Sequence, residues 1–322
     1  MAGKLVHVAL GGTISMRIVD GLAIPVLGAR ELAEIGGIET TPIDIATVGG
    51  PQLTFPLLRS VVEAIRNAER DDAAGVLVTL GTDAIEEVAA FLAYCGPYEL
   101  NVVVTGSMEP GGEPGGDAPS NLRDAAAIAT GPKLGEPVVV FAGTVALGRA
   151  VIKVSGLELH AFTSPTARSW RVAEVVEDGM LTGMPSPAST LGDPGDALED
   201  VPIYLSALSV GLASKPAQSE DPAIVCVASG AGNLTPEVAE LALGALDAGA
   251  VVAIATRALD RQLAPAYGYP GGSGAMVAAG AVLARGMSPH RLRMFLLIAL
   301  SQGLRGPVLR EALARHVESL VS

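Results

Sequence analysis

The chain has 322 residues, of which 49% are hydrophobic and 3% aromatic, and a formal net charge of −13. That length accommodates two domains of ordinary size, and a core of Ala, Val, Leu and Ile suits a sheet covered by helices on both faces. The acidic balance argues against nucleic acid and anionic membranes, since both select basic patches. Cys95 and Cys226 stand far apart in apolar settings, and no CxxC or Cys/His cluster suggests a disulfide framework or a zinc site. The first residues already read as a strand, leaving no room for a leader, and no apolar run approaches the roughly 18 residues of a membrane helix. A soluble cytoplasmic protein is expected.

In chain order, strand-like runs fall at 4–10, 42–46, 75–79, 101–105 and 137–141, with helical patterns at 29–36, 55–68, 83–94 and 118–129. This alternation predicts βαβ units and a mostly parallel sheet flanked by helices in a larger N-terminal α/β domain, residues 1–190. Segment 184–200 is rich in Pro, Gly and acidic residues and reads as a linker, with a crossover over 201–215. The joining stretch is therefore set at 191–215. A smaller C-terminal α/β domain follows over 216–322, with strands at 223–228 and 250–254 and helices at 236–247 and 288–303.

The glycine pairs Gly11-Gly12, Gly111-Gly112, Gly115-Gly116 and Gly271-Gly272 form neither GxGxxG nor a phosphate-binding GxxxxGK[ST] loop, so nucleotide binding has no support. Function must be argued from a site. Two places stand out because each puts a threonine where a buried strand turns into a loop, the edge at which open α/β sheets bind ligands. One is Gly11-Gly12-Thr13-Ile14 after the first strand. The other is Leu80-Gly81-Thr82-Asp83 after Gly75–Thr79.

Each has a plain alternative. Asp83-x-x-Glu86 matches a capping box, and Thr13 after two glycines serves equally to close a turn. A threonine hydroxyl needs an activating base to act as a nucleophile. The candidate is Lys153, one of four lysines, in the apolar run Ala150–Ser155, although a lysine there also suits a strand edge. His7 sits inside the first strand and reads as a satisfied core residue. None of His7, His160, His290 or His316 pairs at metal spacing or accompanies a GxSxG elbow, so a Ser-His-Asp hydrolase is disfavoured.

The two threonine turns together resemble the two signatures of the bacterial-type asparaginase/glutaminase family. Further matches follow in order. Thr105-Gly106-Ser107-Met108-Glu109-Pro110 is similar to the family's T-G-A-M-R-P. Asp117 to Asn121-Leu122 resembles its D-G-x-x-N-L, Lys153 with His160-Ala161-Phe162 its lysine segment, and Gly230-Ala231-Gly232-Asn233 its G-x-G-N. The resemblance implies a threonine amidohydrolase. Thr13 would be the nucleophile, Thr82, Asp83 and Lys153 a second catalytic group, and the glycine turns the oxyanion donors. It implies substrate binding by Gly12, Gln52, Gly81, Asp83, Ser107 and Asn233, and no metal or organic cofactor. It also implies a homo-oligomer, a tetramer built from close dimers, with each site near the smaller domain of a neighbour. The only other partner implied is a small-molecule amide.

Several positions depart from the family pattern. The lid, Ser15 to Ala29, is short and lacks the tyrosine that assists the first threonine elsewhere in the family. Ser15 is the hydroxyl nearest in sequence. Region 256–273 offers Asp260 but no Glu, Leu80 replaces a histidine, Glu109 an arginine, and Pro51 a serine beside Gln52. An asparagine amidohydrolase is the leading reading. A glutaminase or broader amidase differs from it only in pocket depth. A non-catalytic amino-acid binder is disfavoured by the two hydroxyls and the lysine, which binding does not require.

Overall fold

Gly75–Thr79 is buried along its whole length, and so are its neighbours in the sheet; this explains why they read as unbroken apolar runs rather than alternating ones. The computed structural model describes residues 3–178, 190–197, 199–208 and 221–321. They fall into two compact units, Met1–Gly192 and Asp193–Ser322.

In the first unit the elements are β1 (Leu5–Gly11), a hairpin of β2 (Met16–Val19) and β3 (Leu22–Pro25), α1 (Ala29–Gly36), β4 (Thr40–Val48), α2 (Phe55–Arg70), β5 (Gly75–Thr79), α3 (Ile85–Cys95), β6 (Val102–Thr105), α4 (Ala118–Ala129), β7 (Val138–Phe141), β8 (Thr144–Leu147), β9 (Ile152–Lys153), β10 (Phe162–Thr163), β11 (Ser169–Arg171) and α5 (Val172–Asp178). The main sheet has seven strands in the order β11-β8-β7-β6-β5-β1-β4. Strands β4, β1, β5, β6 and β7 run parallel, whereas β8 and β11 add an antiparallel edge. One core cluster joins Leu32, Leu77, Val103, Leu122, Val140 and Trp170. Each such side chain contributes about 1.5–3 kcal/mol on burial.

The expected helices at 29–36 and 118–129 and the strand at 75–79 appear with those limits. Strand β4 is longer than expected and only partly buried, as suits an edge. The β2–β3 hairpin occupies what the sequence pattern marked only as a lid. Its signal was present: Asp20-Gly21, with φ of 51° and 79°, is the dipeptide that closes tight hairpins. Strands β8 to β11, of two to four residues each, are too short for a readable period.

The second unit carries a parallel sheet in the order β12 (Ile203–Leu205), β13 (Ala223–Ala228), β14 (Val251–Thr256), β15 (Val282–Leu283). Its helices are α6 (Pro236–Asp247), α7 (Ser273–Ala278), α8 (Pro289–Ser301) and α9 (Gly306–Val321). Ile224, Cys226, Val252, Ile254, Ala242 and Met276 share its core. The stretch read as crossover, 201–215, instead contributes β12 to the edge; its residues 209–215 lie outside the described residues. Of the expected linker, 184–189 and 198 are likewise outside, and the remainder contains neither helix nor strand.

Candidate active site

Four neighbouring parallel strands, β6, β5, β1 and β4, send their carboxyl ends into glycine-bearing turns. The chain passes from β1 to β4 on one side and then to β5 on the other side of β1. This reversal opens a crevice at the strand ends. Thr13 follows β1, Gln52 follows β4, Thr82 and Asp83 follow β5, and Ser107 follows β6.

Backbone contact draws these turns together. Gly12 has φ 81° and ψ −172°, a conformation reserved to glycine. A Cβ there would stand 2.0 Å from the Gly81 nitrogen, and one on Gly81 would stand 2.9 Å from the Gly50 nitrogen. The glycines before the two threonines therefore let two loops touch main chain to main chain. Thr13 opens a short 3-10 turn, Thr13–Ser15, and is half-buried. Ser15 is fully buried with no partner for its hydroxyl among the described residues, so it does not face the crevice as a substitute for a lid tyrosine.

Lys153 reaches the same place from β9. Its Nζ donates to Thr82 Oγ1 at 2.8 Å and to Asp83 Oδ1 at 2.6 Å. The Lys153 side chain is 17% exposed and that of Asp83 66%, so the ammonium is enclosed while the carboxylate keeps an open flank. Asp83 does not build the capping box suggested by its spacing: the residue before α3 is Ala84, and no side chain caps that helix. The carboxylate has a stronger partner in a charged amine.

The β6 turn is braced by residues of the Asp117–Leu122 motif. Asp117 accepts from the Met108 and Glu109 amides at 2.9 and 3.1 Å. The buried Asn121 donates to the Gly106 carbonyl at 3.0 Å. Ser107 is fully buried, and its hydroxyl donates to the Glu109 carbonyl within the same turn. Gln52 is exposed; its Oε1 accepts from Gly49 N at 2.9 Å and holds the turn after β4.

Asn233 belongs to the second unit, in the turn after β13. There its Oδ1 accepts from Ser273 N at 3.2 Å, and its main chain bridges Ser229. Below the first unit's strand ends, His7 Nε2 lies 3.0 Å from Thr79 Oγ1, but Nδ1 meets no partner in hydrogen-bond geometry among the described residues. Burial pushes the pKa of His7 down to about 4, against a smaller opposing pull from Asp44. Sequence reasoning missed Glu113, whose carboxylate accepts from the Ile18 amide at 3.2 Å. Nothing in its local pattern announces a contact 95 residues away. Among the described residues no group of three or more His, Cys, Asp or Glu could hold a metal ion, and no helix is long and apolar enough to cross a membrane.

A mostly parallel α/β sheet whose strand ends carry two threonines, one bonded to a lysine–carboxylate pair, defines an enzyme-type site at the topological switch point. The family profile "Asparaginase, N-terminal" matches residues 4–180, and "Glutaminase/Asparaginase C-terminal domain" matches 211–313. A probable L-asparaginase of Deinococcus radiodurans is 32% identical over 321 residues, covering 98% of each chain. An L-asparaginase of Bacillus licheniformis is 27% identical over 95% of this chain and 98% of its own. The solved thermostable L-asparaginase of Thermococcus kodakarensis has the same fold, with a TM-score of 0.78 at 24% identity, covering 98% of this chain and 97% of that one. The chain belongs to the asparaginase family of enzymes.

Proposed function

We propose that this protein hydrolyses the side-chain amide of L-asparagine to L-aspartate and ammonia through an acyl-enzyme on Thr13. The observation that carries the reading is the hydrogen-bonded set Thr82–Lys153–Asp83, placed on strand ends beside the turn that bears Thr13. Family membership and the names of the full-length relatives agree with it.

The Thr13 hydroxyl attacks the amide carbon, and as the C–O bond forms its proton passes on to the leaving nitrogen. Backbone N–H groups of the glycine turns, fixed in place before substrate arrives, stabilise the oxyanion. The leaving nitrogen, now protonated, departs as ammonia, leaving an ester on Thr13. Thr82, joined to Lys153 and Asp83, assists the proton transfers by which water attacks that ester, releases aspartate and restores the hydroxyl. The open flank of Asp83 receives the substrate α-ammonium, beside the backbone of Gly12 and Gly81. On the resemblance, Gln52 and Ser107 extend the substrate-binding set, and Asn233 joins it in trans from a neighbouring copy in a homo-oligomer.

A glutaminase or dual amidase is the second reading, favoured by the C-terminal profile, which spans both activities. Glutamine is one methylene longer, a difference pockets resolve by only about 10- to 200-fold. Ammonia release from L-asparagine, L-glutamine and their D-isomers by purified protein tests both readings. Release is expected to be fastest from L-asparagine and absent in Thr13→Ala at unchanged melting temperature. Turnover that survives Thr13→Ala sinks the mechanism, and release from none of the four amides sinks the activity.

A further inference from the structure

The hairpin that follows Thr13 is a poor structure by itself. Its arms, β2 and β3, have four residues each, and its apolar side chains find little cover: Ile18 is 48% exposed, Leu22 69% and Ile24 40%. An isolated two-stranded hairpin of this size is marginal in water. At its base Val26 N and Leu27 N donate to the Ser15 carbonyl at 2.8 and 2.9 Å, but these bonds leave its arms unrestrained.

The restraint comes from the loop after β6. Gly111 N donates to the Thr13 carbonyl at 3.2 Å, Gly112 N to the Met16 carbonyl at 3.0 Å, and Ile18 N donates to Glu113 Oε1 at 3.2 Å. These three bonds run in order along both segments, like the teeth of a zip. The approach is close enough to demand a glycine at 111, where a Cβ would stand 1.9 Å from the Ile14 carbonyl oxygen; one on Gly112 would stand 2.4 Å from Cγ of the exposed Arg17 side chain. The strap is in turn anchored by Asp117, which holds the two amides just before it.

We propose that Glu113 is a positioning residue for the reaction at Thr13: from the Gly111–Gly112 strap, its carboxylate fixes the β2–β3 hairpin beside the nucleophile and so favours substrate binding. It touches neither substrate nor Thr13. Thr13 is fixed at its carbonyl by the strap, whereas Glu113 holds the far end of the arm that leaves it. Loss of the carboxylate therefore loosens the hairpin while leaving the Thr13 turn in place. This rests on the proposed role of Thr13 for its kinetic consequence, but the mechanical part stands apart from it.

The test uses Glu113→Ala and Glu113→Gln in the full-length protein, both at an exposed position. Arg17 is exposed, so the Arg17–Ile18 bond reports hairpin opening as a trypsin cut that exposes a new N-terminus at Ile18, read by mass spectrometry. Glu113→Ala is expected to speed that cut about fivefold and to raise KM by a similar factor, with kcat within about twofold, as befits loss of one partly exposed bond to a charged acceptor. Glu113→Gln keeps an oxygen for the Ile18 amide and is expected to lie near the wild type in both. An unchanged cutting rate in the alanine variant, or a glutamine variant that behaves like alanine, overturns the latch. Faster cutting with unchanged KM overturns the positioning role. If none of the amides is a substrate, the proposed activity fails while the trypsin comparison still decides whether Glu113 holds the hairpin.

Discussion

Gly12 and Gly81 meet main chain to main chain: a Cβ on Gly12 would stand 2.0 Å from the Gly81 nitrogen and 2.1 Å from its Cα. The contact brings together the turns that carry Thr13 and Thr82, the residues that follow the two glycines.

Gly12→Ala is therefore expected to cost about 3 kcal/mol or more, through left-handed strain at φ 81° and overlap with backbone that cannot yield, and to lower kcat more than about 100-fold. Gly21, at φ 79° in the hairpin turn, provides the contrast, because a Cβ there would meet no atom within 4 Å. Gly21→Ala should cost only about 1 kcal/mol. Urea unfolding of the two variants checks the pair, and equal losses would contradict the packing argument.

Thr82, Asp83 and Lys153 are joined by bonds of 2.8 and 2.6 Å and are expected to act as one unit. Thr82→Ala and Lys153→Met should each lower kcat by about 10² to 10⁴. The double variant should lose little beyond the worse single one, because a broken unit cannot be broken twice. Losses that multiply would show two independent contributions.

His7 makes stability depend on pH in a definite direction. Its folded pKa is pushed down to about 4 from an ordinary value of 6.5, so between these values the unfolded chain binds a proton that the folded chain refuses. Stability is complete above the ordinary value and falls as pH drops through this window, by about 3 kcal/mol in total. His7→Gln removes the titration and retains a neutral partner for Thr79. The difference in melting temperature between wild type and variant should change between pH 7 and pH 4; parallel curves would show that another group sets the acid limb.

Both cysteines are buried and neither is in a disulfide, and burial pushes the Cys226 thiol up to about 12. A thiolate is the reactive form, so neither residue should react with a disulfide reagent at pH 8 in the native protein, and both should react in guanidinium. A fast-reacting thiol in the native state would place a cysteine at an opening that these positions do not have.

The sequence by itself determined the pieces. Four apolar runs with intervening amphipathic stretches located β1, β5, β6 and β7, because strands buried on both faces must be apolar throughout, whereas the partly buried edge strand β4 showed only as a shorter strand-like stretch, 42–46. Thr13 and Thr82 were legible as strand-end residues for the same reason: a loop that follows a buried strand is marked by the change in composition. Order in space was not legible. That Lys153 meets Thr82 across 71 residues, that Asp83 binds this amine instead of capping α3, and that Glu113 reaches Ile18 are facts of tertiary structure. Local pattern records only what a residue does for its own helix or strand. The partner of a charged side chain is chosen by whichever opposite charge or open amide the fold brings within about 3 Å, and that choice overrode the capping preference written around Asp83.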